Sequence, residues 1–311
     1  MVEDEDIKTT VSPFAIREGE IKTFDGKDGY VSINQIIHKI NLGHINEVHF
    51  AILDIVNEFE FVTSRQIFQL LQLRGVEIKS QDKLNIKLEQ LVKTKILTRY
   101  YFTSEEGKGI YRIYCMEKMG KYLLNSKEVE CKWQPTDNIK PVPLIKKRLA
   151  GNQVLLAYMR KAKAYSQVIV KPQITAKMAG KSFKCHGKVT LEKAGKSIDL
   201  IFECVRREDD WQTKFVDRMR LYADFYNNFV KFDSGFNTMP QLILVCEDKN
   251  HMAECYVEIV KAKVEFKKLK LYFTTDLDQN STSLKKSLYE FVKDEATGKV
   301  KTNNIELNIL G

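Results

Sequence analysis

Apolar residues from Leu53 to Leu124 recur mostly at intervals of three and four, which places their side chains on one face of an α-helix. Three such runs follow one another: Leu53, Val56, Phe59 and Phe61; Ile67, Leu70, Leu71 and Leu73; and Leu84, Leu88, Leu91 and Val92. Two strand-like runs come next, Ile96 to Thr103 and Gly109 to Tyr114, with the polar turn 104–108 between them. Three helices followed by a β-hairpin predict a winged helix-turn-helix over residues 46–125, and 116–124 predicts its closing helix.

The third predicted helix combines an apolar face with amide and lysine side chains at its other positions, after the helix start Ser80-Gln81-Asp82. Amides can bond base edges and lysines can reach phosphates, so this is the composition of a DNA recognition helix. The predicted DNA-binding residues are Gln81, Lys83, Asn85, Lys87, Gln90 and Lys93 on the helix and Arg99, Lys108 and Arg112 on the hairpin. An ordinary solvated surface and a protein-docking module are the alternatives.

Residues 143–311 predict a second domain with the order α-β-β-β-α-β-α-β, which gives a mixed sheet with flanking helices. Within it, 168–174 is predicted to be a strand and 178–182 a loop. Prolines cluster just before this domain, so 126–142 is predicted to be a linker, and 1–45 an N-terminal extension. The expected fold class is α+β, with an N-terminal winged helix-turn-helix joined to an α/β domain.

Composition and charge narrow the class of protein. The 311 residues carry 50 Lys and Arg against 41 Asp and Glu, a net charge of +9 that favours a polyanion such as DNA as partner. No apolar run approaches the ~20 residues of a membrane span, and the acidic start Met1–Asp6 is unlike a signal peptide. We therefore expect a cytoplasmic protein without membrane contact. The six cysteines form no Cys-x-x-Cys pair, so no zinc site is expected.

Glu203 is the candidate catalytic residue, because it is a lone carboxylate in an apolar run. The predicted order of elements is the common core of restriction-endonuclease-like folds, in which carboxylates bind magnesium and a Lys two residues later orients the attacking water. Here Val205 stands at the Lys position, and no Asp opens the first hairpin strand. Asp199 lies ~13 Å away along the strand, too far to share one metal. The alternative is that Glu203 forms an ion pair with a neighbour such as Arg206 or Lys214.

Three passages of the sequence resemble the replication-relaxation family of plasmids and conjugative elements. They are Val62–Ile67 with Leu88–Leu97 and Ile110–Tyr114, then Leu149–Val154, and finally Phe202–Cys204 followed by Tyr222 and Leu271–Thr275. The resemblance covers about residues 50–278 and implies a winged helix joined to a restriction-endonuclease-like domain that handles mobile-element DNA. Where that family opens the first hairpin strand with Pro-Asp, this chain has His186-Gly187, which implies a degenerate nuclease-like domain.

We therefore expect a DNA-binding accessory protein of a plasmid or conjugative element, acting at an origin in replication or transfer without catalysis of its own. Its expected partners are double-stranded DNA, other replication or transfer proteins and further copies of itself. Two alternatives stay open: a metal-dependent DNA nuclease using Glu203, and a winged-helix transcriptional regulator. The sequence has no Gly-rich phosphate loop and no Ser-His-Asp or His-Glu-x-x-His pattern. We therefore expect no cofactor or metal, except that the nuclease alternative would require Mg²⁺.

Overall fold

The computed structural model describes residues 11–103, 111–231, 236, 238–281, 283–293 and 300–307. The chain divides into two compact units. The first, called the N-terminal unit, is Ile16–Leu149, and the second, the C-terminal unit, is Ala150–Gly311 together with the residues up to Ala15. This division falls inside helix α6 (Val142–Lys161) and not within the segment 126–142 that the prolines marked as a linker.

The N-terminal unit alternates short strands with helices. In chain order its elements are β1 (Ile21–Phe24), α1 (Ile33–Asn41), α2 (Glu47–Phe59), β2 (Val62–Thr63), α3 (Ser64–Leu73), α4 (Gln81–Lys93), β3 (Leu97–Thr103), β4 (Arg112–Met116), α5 (Lys118–Ser126) and a 3-10 helix (Pro135–Ile139). Thr63 and Gln66 form a capping box at the start of α3, each side chain accepting the other's backbone N–H at 3.1 Å. This cap satisfies N–H groups that every helix start leaves without partners.

One antiparallel sheet in the order β1-β3-β4-β2 joins distant parts of this unit. Strand β1 lies in the segment expected to be an extension, yet it pairs with β3 in the register Ile21↔Thr103. In the expected linker, Trp133 Nε1 donates to Asn138 Oδ1 at 3.0 Å, and Asn138 Nδ2 donates to the Met116 carbonyl at 2.9 Å. Both segments therefore pack onto the unit. The sequence did not predict this packing, because a four-residue strand and isolated polar contacts leave no periodic pattern. The prediction of a linker therefore rested on the prolines alone.

The C-terminal unit is built on a seven-stranded sheet in the order β13-β12-β11-β10-β9-β8-β5. Its elements after α6 are β5 (Tyr165–Val170), β6 (Gln173–Ala176), β7 (Lys181–Lys184), β8 (Gly187–Lys193), β9 (Lys196–Cys204), α7 (Trp211–Asn227), β10 (Gln241–Cys246), α8 (Lys249–Lys261), β11 (Tyr272–Thr275), α9 (Asp276–Ser281), a 3-10 helix (Leu284–Lys286), β12 (Leu288–Lys293) and β13 (Val300–Ile305). Strands β9, β10 and β11 are parallel and the other pairs are antiparallel. The predicted α+β class with a mixed sheet is confirmed.

The structure changes the prediction between 165 and 184. The expected strand 168–174 is two strands, because Lys171 has a left-handed backbone with φ 55° and Pro172 follows it. The expected loop 178–182 contains the turn of a hairpin: β6 and β7 pair antiparallel around Gly180, whose φ of 61° suits glycine. This β6–β7 hairpin forms a two-stranded sheet of its own.

Helices α7 and α8 bury their apolar faces against the sheet of the C-terminal unit. The shared core includes Phe215, Met219, Tyr222, Phe225 and Tyr226 of α7, Leu242 and Leu244 of β10, and Cys255 and Ile259 of α8. Burying a large apolar side chain of this kind contributes about 1.5–3 kcal/mol. Among the described residues, no helix has the length and apolar character needed to cross a membrane.

Candidate functional site

Helix α4 is the surface element that carries most of the predicted DNA-binding residues. The Ser80 side chain accepts the Lys83 N–H and so fixes the start of the helix. One face of α4 is buried through Leu84, Leu88, Leu91 and Val92. The opposite side exposes Lys83, Asn85 and Lys93, with Ile86 at 54% exposure among them. The helix therefore offers solvent a mixed basic, amide and apolar face.

The amide side chains of α4 are partly engaged within the unit. Gln81 Nε2 donates to Asn85 Oδ1 at 3.2 Å. Gln90 Oε1 lies 2.8 Å from Nε2 of the buried His49, whose Nδ1 accepts the Asn46 N–H at 3.2 Å. The same Nδ1 lies 3.0 Å from Asn46 Oδ1, so the ring is held between the side chains of Asn46 and Gln90. Burial also lowers the pKa of His49. Gln90 thus uses its oxygen internally and keeps its amide nitrogen for an outside partner.

The lysines of α4 differ in their surroundings. Lys83 is exposed and makes no ion pair within the part of the chain that the structure describes. Lys93 Nζ lies 3.7 Å from Glu89 Oε1, one helical turn away. Lys87 is half-buried, and burial lowers the pKa of its ammonium group. Lys83 and Lys87 are therefore the cations of α4 without an acidic partner among the described residues.

Arg99 does not face solvent, in contrast to the expectation from sequence. The residue is 8% exposed. Its guanidinium lies 2.8 Å from Asp25 Oδ2 and 2.6 Å from Glu89 Oε2, so it ties β3 to α4 and to the loop after β1. Arg112, on β4, is exposed, and its Nε lies 3.2 Å from the same Asp25 oxygen. Lys108, the third hairpin residue predicted to bind DNA, lies outside the described residues.

Glu203 lies near the end of β9 with its carboxylate held by two side chains of α7. Arg218 Nε lies 3.2 Å from Oε1 and Arg218 Nη2 lies 3.2 Å from Oε2. The Tyr222 hydroxyl donates to Oε2 at 2.7 Å. Burial alone would raise the pKa of Glu203, but Arg218, His186 and the Tyr222 hydroxyl together outweigh it and lower the pKa to about 2. The carboxylate is therefore anionic and fully engaged.

His186 adds a third polar contact to Glu203. Its Nδ1 lies 3.6 Å from Glu203 Oε2 and also accepts the Cys204 N–H at 3.1 Å. The 3.6 Å separation is longer than those of Arg218 and Tyr222, which make the closer contacts to the carboxylate.

Arg218 rather than Arg206 or Lys214 is thus the ion-pair partner of Glu203. Arg206 pairs with Asp276 at 2.9 Å, and Lys214 lies 3.6 Å from Glu208. Residue 218 reaches β9 because it lies two turns into α7, where the helix packs over the sheet. Residues 206 and 214 lie beyond the strand end and near the helix start.

The carboxylates expected around a nuclease metal do not meet at Glu203. Asp199 accepts a hydrogen bond from Thr190 at 2.6 Å and lies 3.1 Å from Lys188 Nζ. Position 187 has no room for a side chain, since a Cβ there would lie 2.7 Å from Cδ2 of Leu155. Within the described ranges, no three His, Cys, Asp or Glu side chains group as a metal site requires.

A second group of charges, which sequence reasoning missed, lies at the carboxyl ends of β9, β10 and β11. Asp276 accepts hydrogen bonds from Arg206 and from the Ser12 hydroxyl, and burial raises the pKa of this carboxyl. Arg207 Nη1 lies 3.3 Å from Glu247 Oε2. Their position in the sequence could have identified them, because each of these residues follows a parallel strand. Parallel sheets bind ligands at the edge where the carboxyl ends of their strands lie. Here the charges pair with one another and hold the three strand ends together.

Comparison with known proteins identifies no family for this chain. No protein-family model matches the chain, and no curated protein matches it. Among solved structures, the chain is similar to the structure of restriction endonuclease FokI, with 12% sequence identity and a TM-score of 0.29. The similarity covers 75% of this chain and 43% of that one, so this chain spans less than half the length of the FokI chain. A TM-score of 0.29 lies below the level at which two chains share a fold.

Proposed function

We propose that the N-terminal unit is a winged helix-turn-helix that binds duplex DNA, and that α4 is its recognition helix. In this proposal the protein is a DNA-binding accessory protein of a plasmid or conjugative element that acts at an origin in replication or transfer. The mobile-element setting comes from the sequence resemblance alone. DNA binding also has support from the geometry of the unit.

The observation that carries the proposal is the connectivity around α4. The elements run helix, strand, helix, helix, strand, strand from α2 to β4, and the short β2 pairs with β4 in the register Val62↔Tyr114. This is the order of a winged helix, in which the last helix before the hairpin enters the major groove. That helix must have one face in the core and one face free, and α4 meets the requirement.

The residues at this surface have the chemistry that DNA contact needs. Lys83, Lys87 and Arg112 supply charge for phosphates, Asn85 and Gln90 supply amides for base edges, and Ile86 supplies an apolar contact. Arg99 takes no part, because its guanidinium is held by Asp25 and Glu89. The interface is therefore smaller and less basic than the sequence alone indicated.

We assign the C-terminal unit to a restriction-endonuclease-like scaffold that serves assembly or further DNA contact rather than cleavage. An antiparallel β8–β9 hairpin that continues into parallel β10 and β11, with α7 and α8 packed against the sheet, supports this assignment. The pairing of Glu203 with Arg218 and Tyr222 supports a structural role for this carboxylate, because both of its oxygens already accept hydrogen bonds.

Duplex binding by the full chain tests the proposal. In a mobility-shift assay, the double variant Lys83→Ala, Lys87→Ala should bind duplex DNA about tenfold more weakly than the unchanged protein, because two phosphate contacts are lost. The matched control is Lys118→Ala, Lys132→Ala, which removes the same charge from exposed positions outside α4 and the hairpin. Equal affinities for the two double variants would overturn the proposal.

A further inference from the structure

Gln90 is held by a buried side chain, unlike the other amides of α4. Its Oε1 lies 2.8 Å from Nε2 of His49, which is only 1% exposed, whereas Gln90 itself is exposed. Gln81 and Asn85, in comparison, contact each other at 3.2 Å on the surface of the helix. The fold therefore fixes one exposed amide on the helix assigned above to DNA recognition.

His49 is held from its other side by the start of α2. It lies in the first turn of that helix, after the N-cap residue Asn46. Its Nδ1 lies 3.2 Å from the backbone nitrogen of Asn46 and 3.0 Å from Asn46 Oδ1. Because both ring nitrogens have polar partners in a buried position, the ring orientation is restricted. A chain of polar contacts thus runs from the start of α2 through the imidazole to the outer face of α4.

The imidazole of His49 serves in this chain as a hydrogen-bonding group and not as a charge. Burial lowers its pKa, the hydrogen bond with Gln90 opposes this, and the Lys87 ammonium lowers it further. The net shift is downward from 6.5, so the ring is mostly uncharged at neutral pH. An uncharged, buried ring attracts no phosphate, and any part that His49 has in DNA binding must act through Gln90.

An amide anchored in this way has the groups that adenine recognition needs. The oxygen of Gln90 can accept two hydrogen bonds, so its contact with His49 leaves room for one from a base, while Nε2 can donate. Adenine presents the matching pair in the major groove, the N7 acceptor beside the N6 amino donor. Anchoring also removes rotamer freedom that a glutamine side chain otherwise loses on binding.

We propose that Gln90 recognises an adenine in the major groove and that His49 is its positioning residue. The inference rests on the function proposed above for α4 and adds to it a base contact of stated identity. Gln90 contacts the base, whereas His49 stays buried and acts through Gln90. Lys87, three residues before Gln90 on the same side of α4, contacts phosphate and sets the distance of the helix from the bases.

Selection of bound duplexes by the full chain tests this contact. The probe is a pool of duplexes with a randomised central segment, and the bound fraction is sequenced. The unchanged protein should prefer adenine over cytosine about tenfold at one position. Gln90→Glu should reverse that preference, because a carboxylate only accepts hydrogen bonds and cytosine presents the N4 donor. Since Gln90 is exposed, this variant tests the contact even if a change at His49 prevents folding.

Two substitutions of His49 form a matched pair that tests its positioning role. In His49→Gln the terminal amide lies near the place of Nε2, so the contact with Gln90 and the adenine preference should both remain. In His49→Asn the amide lies near the place of Nδ1, so the contact with Asn46 remains and that with Gln90 is lost. The adenine preference should then fall about tenfold in His49→Asn, with the preferences at other positions unchanged.

The outcomes separate this inference from duplex binding by α4. An adenine preference that both His49 variants retain, or one that both weaken equally at every position, would overturn the positioning role and leave α4 in place. The inference would also be overturned by an unchanged preference in Gln90→Glu, or by duplex binding of the unchanged protein without any preferred base. Equal affinity of Lys83→Ala, Lys87→Ala and the unchanged protein would instead overturn the function proposed for α4, and this inference with it.

Discussion

Arg218 donates to both carboxylate oxygens of Glu203 at 3.2 Å and so links α7 to β9 inside the C-terminal unit. The same guanidinium donates to the Lys184 carbonyl and lies 4.3 Å from the centre of the Phe183 ring. One side chain therefore ties the helix, the sheet and the β6–β7 hairpin together. The residue that the sequence marked as a catalytic candidate is one half of this link.

Glu203→Gln should destabilise the protein by about 2–4 kcal/mol, because it leaves the largely buried Arg218 without its counter-charge. The measurement is urea unfolding at pH 7, with Tyr222→Phe as a companion that removes one hydrogen bond and should cost about 1–2 kcal/mol. A Glu203→Gln protein of unchanged stability would contradict the structural role. Loss of a Mg²⁺-dependent cleavage activity at unchanged stability would favour the nuclease alternative.

At acid pH, the unchanged protein should lose its stability advantage over the Glu203→Gln variant. The pKa of Glu203 is about 2 in the folded protein and near 4.5 without these contacts, so its ionised form stabilises the fold above pH 4.5. As the pH falls from 4.5 towards 2, the carboxylate becomes protonated and this contribution is lost. The stability difference between the unchanged protein and Glu203→Gln should therefore shrink over that window, and a difference independent of pH would refute the assignment.

His251 should also make the stability of the protein depend on pH, over a different pH range. Burial, assisted by Arg207 and Arg206, lowers its pKa from 6.5 to about 3 in the folded protein. The unfolded chain then binds a proton that the folded chain does not, so stability falls as the pH drops from 6.5 towards 3, by up to ~1.4 kcal/mol per pH unit. His251→Asn keeps an acceptor for the Glu247 N–H and should flatten this slope. Identical slopes for the two proteins would show that His251 does not titrate in this way.

Arg99 should matter for stability rather than as an exposed cation. Arg99→Ala leaves Asp25 and Glu89 without their buried partner and should cost about 2 kcal/mol, whereas Arg112→Ala, an exposed neighbour on the same sheet, should cost less than ~1 kcal/mol. Thermal unfolding of the two variants measures the difference. Equal losses would mean that the Arg99 pairs add nothing beyond a surface contact.

Periodicity predicted the elements that bury a continuous face, and it could not predict contacts between distant residues. The spacing of Leu84, Leu88 and Leu91 places α4 from the sequence alone, and the Leu-Ile-Leu-Val run places β10. Arg99 and Asp25 are 74 residues apart, so nothing in their local sequence joins them. Polar pairs of this kind form only after the chain has folded.

The candidate sites likewise combine features that are visible in the sequence with contacts that only the fold creates. Glu203 is conspicuous in sequence as a carboxylate within a buried strand, but its partner Arg218 lies 15 residues away on another element. The β6–β7 hairpin escaped prediction because its strands have four residues each and the left-handed Lys171 interrupts the apparent strand before them.

The salt dependence of duplex binding tests the assignment of α4 most directly. For the full chain and a 30-base-pair duplex, log K should fall linearly with log salt, and Lys83→Ala, Lys87→Ala should reduce the slope by about 1.8, or ~0.9 for each lost phosphate contact. The Lys118→Ala, Lys132→Ala control should keep the original slope. A slope and affinity for Lys83→Ala, Lys87→Ala equal to those of the unchanged protein would contradict DNA recognition by α4.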